Sequence, residues 1–290
     1  RRRHRDAADR GPRGARRGGA VGPLLEEARA ACAALGGGET ARSIPRLAAA
    51  DPDRFALAAC GVDGAADAVG DADVSFTLQS ITKPFVYGWA LTALGAGAVH
   101  ARVGGEPTGD PYDSIVRLEE GTHRPHNPMV NAGAIAVTGL FLEAAGGDAF
   151  DRLRALFGAL AGRGPLDWDE EVFASERDAA HRNRAIGHLL RHFAMLGPPV
   201  DDVLDLYFRQ CALVGTCRDL AAMAATLAAG GRNPKGERVL GPEAARKVRA
   251  VMTTCGLYDA SGRFAFETGL PAKSGIAGGI LAVVPGRMGL

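Results

Sequence analysis

A serine and a lysine stand three residues apart, Ser80 and Lys83, in the stretch FTLQSITKPFVYGWAL. On a helix such a pair shares one face. A serine hydroxyl is a weak nucleophile at neutral pH, and a lysine within hydrogen-bond reach accepts its proton once burial has lowered the lysine pKa. Acyl transfer through a serine ester is the chemistry this spacing suggests; the plainer alternative is a helix-capping Ser80 with Lys83 in water. Lysine usage favours the first reading. Lys and Arg together number 34, yet the only lysines are Lys83, Lys235, Lys247 and Lys273. Arginine stays protonated and cannot act as a base, so lysine survives where its proton can be given up. Lys273 heads a second element, Lys273-Ser274-Gly275, which precedes a glycine-rich apolar run.

Further polar candidates lie between these two elements. Glu176 and Asn183 are seven residues apart, two turns of one helix, and so face the same way. A carboxylate and an amide placed there can hold the ammonium and carboxylate of a small zwitterion, although a first-turn glutamate is also what a helix dipole favours. His181, His188 and His192 share that segment. No glutamate follows His188 as in His-Glu-x-x-His, so neither a metal nor another cofactor is expected.

These residues need elements to carry them. Residues 23–35 have helical spacing and end at Gly36-Gly37-Gly38. Residues 55–62, and a second run reaching Phe76, read as antiparallel strands joined at Val62-Asp63-Gly64, leading into the helix of Ser80. Pro84 is tolerable in that helix's first turn. Residues 94–125, irregular and rich in Gly and Pro, read as loop. Helices are expected over 131–145, with Asn131 at its entry, over 148–161, over 175–196 as one long helix opened by Ser175, and over 201–211. Another, over 216–229, opens on Thr216 with Asp219 three residues on, in the manner of a capping box. One more runs from Pro242 to about Cys255, and Tyr258 follows in a turn. Residues 264–266 and 276–284 read as strands, closed by Pro285-Gly286. The sheet is therefore assembled from both ends of the chain around a helical insertion, with the nucleophile between the layers.

At 290 residues and 47% hydrophobic, the chain can fill one large core. A net charge of +1, with the basic excess gathered in residues 1–22, argues against a nucleic-acid partner for the body and marks that segment as a disordered basic tail. No run reads as long enough to span a bilayer, and no apolar signal segment follows the basic start, so a cytoplasmic protein without a membrane partner is expected. Cys32, Cys60, Cys211, Cys217 and Cys255 are odd in number and lack a Cys-x-x-Cys pair, which suggests buried free thiols. The end at Leu290, directly after an apolar strand pattern, suggests a truncated C-terminus.

LQSITKP, RPHNPMVNAGAI, SERDAAHRNRAI, DLAAMAATLAAGGRNP and MTTCGLYDASGRFAFETGLPAKSGIAGGILAVVPGRMG resemble, in this order, the motifs of the glutaminase family. Its members are serine-dependent enzymes sharing a fold with β-lactamases and penicillin-binding proteins, whose Lys-Thr-Gly element Lys273-Ser274-Gly275 also resembles. The resemblance runs from about Gly22 to the end of the chain. It implies an α/β (α+β), β-lactamase/transpeptidase-like fold in a single catalytic domain, residues 23–290, with a sheet part at about 23–93 and 256–290 and a helical part at about 94–255. It further implies hydrolysis of L-glutamine to L-glutamate and ammonia, and a homo-oligomer, dimer or tetramer. Ser80 matches the family's nucleophile and Lys83 its base; Asn131, Glu176 and Asn183 match positions holding the substrate's α-carboxylate and α-amino groups. Tyr207 and Tyr258 match tyrosines lining the site, one of which passes a proton to the leaving ammonia. Ile276 matches a position whose backbone N–H joins that of Ser80 in the oxyanion hole. Two departures stand out: Ser43 precedes Ile44-Pro45 where the family usually has a tyrosine contacting substrate, and relatives continue past Leu290 with a strand and helix. The alternatives are a catalytically impaired glutamine-binding relative and a penicillin-recognising serine hydrolase. The latter lacks a Ser-Asp-Asn element between its two motifs.

Overall fold

A computed structural model describes residues 21–109, 111–115, 118, 119 and 121–290. Most of the expected basic tail, residues 1–20, lies outside the described residues. The order is α1 (Gly22–Cys32), β1 (Ala56–Gly61), β2 (Ala66–Gly70), β3 (Phe76–Thr77), α2 (Lys83–His100), α3 (Asn131–Ala145), α4 (Ala149–Leu160), α5 (Glu170–Ala179) and α6 (His181–His192). It continues with α7 (Val200–Cys211), β4 (Val214–Gly215), α8 (Cys217–Ala228), α9 (Pro242–Cys255), α10 (Ser261–Thr268), β5 (Ala272–Ser274), β6 (Ile280–Val284) and β7 (Met288–Gly289).

Both ends of the chain build one antiparallel sheet of five strands in the order β2-β1-β7-β6-β5. The expected hairpin is present, with Ala56 opposite Gly70 and Cys60 opposite Ala66. The final strand, β7, lies inside the sheet: Gly289 pairs with Cys60 on one side and with Val283 on the other. Helix α8 packs across the face of this sheet through Ala221 and Ala225, which bury Ala58 and Cys60. Its start follows from sequence, since Thr216 and Asp219 cap each other reciprocally. The main core is centred on α2, where Phe85, Val86 and Tyr87 are buried against Phe141, Phe157, Met223, Leu240 and Val248. A second apolar cluster joins α3, α6 and α7 through Ile135, Ile186, Leu190, Val203 and Phe208. Together the clusters surround α2 and α3, the two helices that begin at the polar candidates Lys83 and Asn131.

Several expectations are corrected. Ser80 is not within the helix of Lys83 but in a 3-10 turn, Gln79–Thr82, from which α2 starts. Helix α2 runs on to His100 past residue 94, with the break at Gly95 (φ 79°) that glycine permits. The single helix expected over 175–196 is two, α5 and α6, separated at Ala180 (ψ 36°). Asp169, not Ser175, opens the first by accepting from the Val172 N–H at 2.9 Å. No Gly or Pro marks the interruption, so nothing local announces it. Phe264 and Phe266 lie on helix α10 rather than a strand; an Arg263–Glu267 pair one turn apart and Gly269 in the left-handed C-terminal position are the helical signals. The apolar run 276–284 is a tight turn followed by β6, with β5 before it. Cys32 is exposed and Cys217 half-buried, while the other three cysteines are buried and all five are free. Asn131–Leu160, comprising α3 and α4, is long and apolar enough to cross a membrane by length and composition, contrary to expectation, and 56% of its apolar window is buried inside the fold.

One close approach ties the sheet to the helical part beside Tyr258. A Cβ on Gly256, at the end of α9, would lie 1.8 Å from the carbonyl oxygen of Ala272 in β5. Backbone cannot yield to such an intrusion without separating α9 from the sheet edge. Gly256→Ala is therefore expected to lose about 1–3 kcal/mol of stability or more, read as a lowered urea midpoint with an unchanged slope.

Candidate active site

Ser80 owes its placement to a strained residue and two glycines. Gln79, immediately before it, has φ 51°, a left-handed conformation uncommon for a side chain with a Cβ and retained only where surroundings enforce it. The turn after β5 lies directly against this segment: a Cβ on Gly275 would sit 3.0 Å from the Leu78 carbonyl oxygen, and one on Gly279 would sit 2.7 Å from Ile81 Cδ1. The Ser80 turn and residues 275–279 are thus held face to face. Neither the Ser80 N–H nor the Ile276 N–H has an acceptor among the described residues.

Lys83, at the start of α2, is 2% exposed. Its Nζ donates to the Met129 carbonyl at 3.1 Å and to Asn131 Oδ1 at 2.7 Å. Asn131 in turn donates through Nδ2 to Asn183 Oδ1 at 3.0 Å, and its Oδ1 also accepts from the Tyr207 hydroxyl at 3.5 Å. One chain of hydrogen bonds therefore joins α2, α3, α6 and α7. Glu176, near the end of α5, is buried, and its Oε2 meets no hydrogen-bond donor. Burial raises its carboxyl from 4.5 to about 7, against the opposing pull of the Gln79 amide, the Cys211 thiol and the Lys83 charge. The break at Ala180 allows Glu176 and Asn183 to belong to separate helices and still serve one site.

Tyr258 occupies the other wall, again with positive φ (57°). Lys273, wholly buried on β5, donates to its hydroxyl at 3.1 Å and to the Ser274 carbonyl at 2.7 Å, with Nζ 4.3 Å from the centre of the tyrosine ring. Burial would raise the phenol, but the charges of Lys83 and Lys273 and hydrogen bonds from Ser80 and Lys273 bring it down to about 7. Lys273 itself falls to about 8, because burial and the Lys83 charge outweigh the attraction of Tyr258. Tyrosine and lysine are thereby brought close to neutrality, where protons can move between them and the Ser80 hydroxyl.

Ser80, Lys83, Asn131, Glu176, Asn183, Tyr207 and Tyr258 are linked by this network of contacts. Ile276 lies on the turn packed against Leu78 and Ile81, which flank Ser80, and its side chain is exposed. Ser43 is exposed; the segment it belongs to docks on α5 through Arg46, whose N–H reaches Ser175 Oγ at 3.3 Å and whose guanidinium pairs with Glu171 at 2.7 Å. No cluster of three or more His, Cys, Asp or Glu that could hold a metal occurs among the described residues. The sequence marks Lys273 and Tyr258 separately, but not the contact between them. Sequence reasoning missed Gln79 and Cys211, which address Glu176 from the Ser80 turn and from α7. The sparse use of lysine was the available signal: the two buried lysines are the two in the site, whereas Lys247 pairs with Glu243 at 3.0 Å.

A carboxyl raised by burial costs stability when ionised. The cost of Glu176 is absent below pH 4.5 and complete above about pH 7, so stability declines between them, by ~3 kcal/mol for a shift of this size. Glu176→Gln is expected to raise the thermal midpoint at pH 8 and to leave it nearly unchanged at pH 4, checked by calorimetry at both values.

A family model described as Glutaminase matches residues 38–290. Glutaminase 1 of Bradyrhizobium diazoefficiens is 50% identical over 254 residues, 87% of this chain and 41% of its own length. A glutaminase of Trichormus variabilis is 46% identical, over 87% of this chain and 75% of its own. The chain thus spans about two fifths of the length of the former and three quarters of the latter. Among solved structures, Mglu in its tris and glutamate form superposes with a TM-score of 0.88 at 43% identity, covering 93% of this chain and 60% of that one. The probable glutaminase ybaS superposes at 0.85 with 38% identity, covering 92% and 86%. The architecture is the β-lactamase-like one expected from the sequence. Matched over most of its length in sequence and in fold, the chain belongs to the glutaminase family.

Proposed function

We propose that this chain hydrolyses the side-chain amide of L-glutamine to L-glutamate and ammonia through an ester on Ser80. The observation that carries the reading is the placement of Tyr258 between two buried lysines beside the Ser80 turn: its hydroxyl accepts from Lys273 at 3.1 Å, and Lys83 Nζ lies 5.9 Å from the centre of its ring. The names of the relatives supply the substrate, and the glutamate form of Mglu accords with it.

The unpaired Glu176 Oε2 accepts the substrate's α-ammonium, and the amides of Asn131 and Asn183 donate to its α-carboxylate. This fixes the side-chain amide carbon before Ser80. The Ser80 Oγ attacks that carbon as its proton passes to the Tyr258 phenolate, which Lys83 and Lys273 hold by charge and by hydrogen bond. The sequence alone placed the proton on Lys83; the geometry supports a shared role, with Tyr258 the acceptor and Lys83 binding Asn131 and favouring the phenolate. The N–H groups of Ser80 and Ile276 bind the carbonyl oxygen as it gains negative charge. When the carbon–nitrogen bond breaks, the Tyr258 hydroxyl returns the proton to the departing nitrogen, which leaves as ammonia. Water then attacks the ester, giving its proton to the phenolate, and Ser80 recovers a proton as glutamate is released. The same reading keeps the expectations of a homo-oligomer and a cytoplasmic setting, which sedimentation and cell fractionation test.

Ammonia release from L-glutamine is expected from the parent chain and is expected to disappear in Ser80→Ala while glutamate still binds; equal release by the variant contradicts the assignment. Phenolate and ionised Glu176 both form as pH rises through about 7. Accordingly kcat/KM should climb through that pH, and Tyr258→Phe should reduce kcat by about 10²-fold or more. A Tyr258→Phe enzyme with parental kcat would remove the tyrosine from the mechanism.

A further inference from the structure

Below the Ser80 turn lies a row of buried polar groups that no step above uses. The Thr82 hydroxyl donates to the Gln79 carbonyl at 2.8 Å, and Gln210 Nε2 on α7 donates to Thr82 Oγ1 at 2.9 Å. Gln210 Oε1 lies 3.2 Å from the Thr138 hydroxyl of α3, which also reaches the Ala134 carbonyl at 2.9 Å. Thr82, Gln210, Thr138 and Gln79 are between 0% and 2% exposed. Water does not compete for these groups, so each that loses its partner bears the full cost of desolvation.

The direction of the row is what matters. A threonine hydroxyl has one hydrogen to give. Because Gln210 presents an N–H to Thr82 Oγ1, that single hydrogen is left for the Gln79 carbonyl. The Gln79 carbonyl and the Ser80 N–H are the two ends of one planar peptide, and no cis peptide occurs among the described residues. In a trans peptide they point in opposite directions. A carbonyl pinned toward Thr82 in the core therefore turns the Ser80 N–H away from the core. It also opposes the natural tendency of Gln79, at φ 51°, to relax out of the left-handed region.

We infer that Thr82 and Gln210 are positioning residues for catalysis: their relay from α7 orients the Gln79–Ser80 peptide so that its N–H stands ready for the oxyanion. This inference rests on the proposed Ser80 chemistry. An N–H held in advance stabilises the transition state more than the bound substrate, so the effect should fall on kcat rather than on KM.

The test compares Thr82→Val, which keeps the shape and removes the hydroxyl, with Thr82→Ser, which keeps the hydroxyl. In Thr82→Val, kcat for L-glutamine should fall about 10- to 100-fold, less than the ~10²- to 10³-fold of losing an oxyanion donor outright, with KM and glutamate affinity within about twofold of the parent. Thr82→Ser should restore kcat to within about threefold. Gln210→Met, which removes the amide donor at similar volume, should lower kcat in the same direction and stands in if Thr82→Val does not fold. The Ser80 amide resonance, followed by NMR, should move in Thr82→Val and return in Thr82→Ser. Parental kcat in Thr82→Val or, where that does not fold, in Gln210→Met, a loss equal in Thr82→Ser, a loss confined to KM, or an unmoved Ser80 resonance each overturns the relay. A parent that releases no ammonia overturns the glutaminase reading instead, and the Ser80 resonance alone then decides the relay.

Discussion

Two lysine side chains are buried within reach of one tyrosine, and the rest of the site follows from how their charge is accommodated. Moving an ammonium out of water is costly unless it finds acceptors or gives up its proton. Lys83 finds the Met129 carbonyl and Asn131; Lys273 finds the Ser274 carbonyl and Tyr258. The remaining imbalance falls on Tyr258, whose phenol is pulled to about 7 although its burial works the other way. A group that ionises near neutrality beside a serine is the consequence of that placement.

The fold's contribution is to bring these charges together from distant parts of the sequence. Lys83 arrives at the head of a helix buried in the main core, Lys273 on an edge strand from the end of the chain, and Tyr258 in a left-handed turn between α9 and α10. Close backbone approaches at Gly256 and Gly275 leave no slack between these parts. Rigidity is stored unevenly, however. Gln79 and Tyr258 both hold positive φ, and both flank the reacting serine, as expected where a packed surround maintains strain for function. Glu176 is a similar expense, a buried carboxylate with one oxygen left open to a ligand.

Much of this was legible in the sequence because local signals agreed with the final structure. The capping box at Thr216, the hairpin turning at Val62-Asp63-Gly64 and the helix from Asn131 were each specified by nearby residues. The paired elements around Ser80 and Lys273 were visible as the contexts in which lysine is retained. Where the reading failed, tertiary packing overrode local pattern. Residues 175–196 carry uninterrupted helical composition, yet the chain breaks at Ala180 so that Glu176 and Asn183 both face Lys83's neighbourhood. Phe264 and Phe266 suggested alternation, but an Arg263–Glu267 pair and a glycine stop made a helix. Contacts such as Lys273 with Tyr258, or Gln210 with Thr82, depend on residues 15 and 128 positions apart, and no local pattern encodes them.

The central claim is a covalent glutamyl ester at Ser80, and mass spectrometry of the protein quenched in acid during turnover of L-glutamine tests it most directly. The account predicts a glutamyl adduct confined to the peptide containing Ser80 and absent from Ser80→Ala. Steady ammonia release in the parent, with an adduct at another residue, would contradict it.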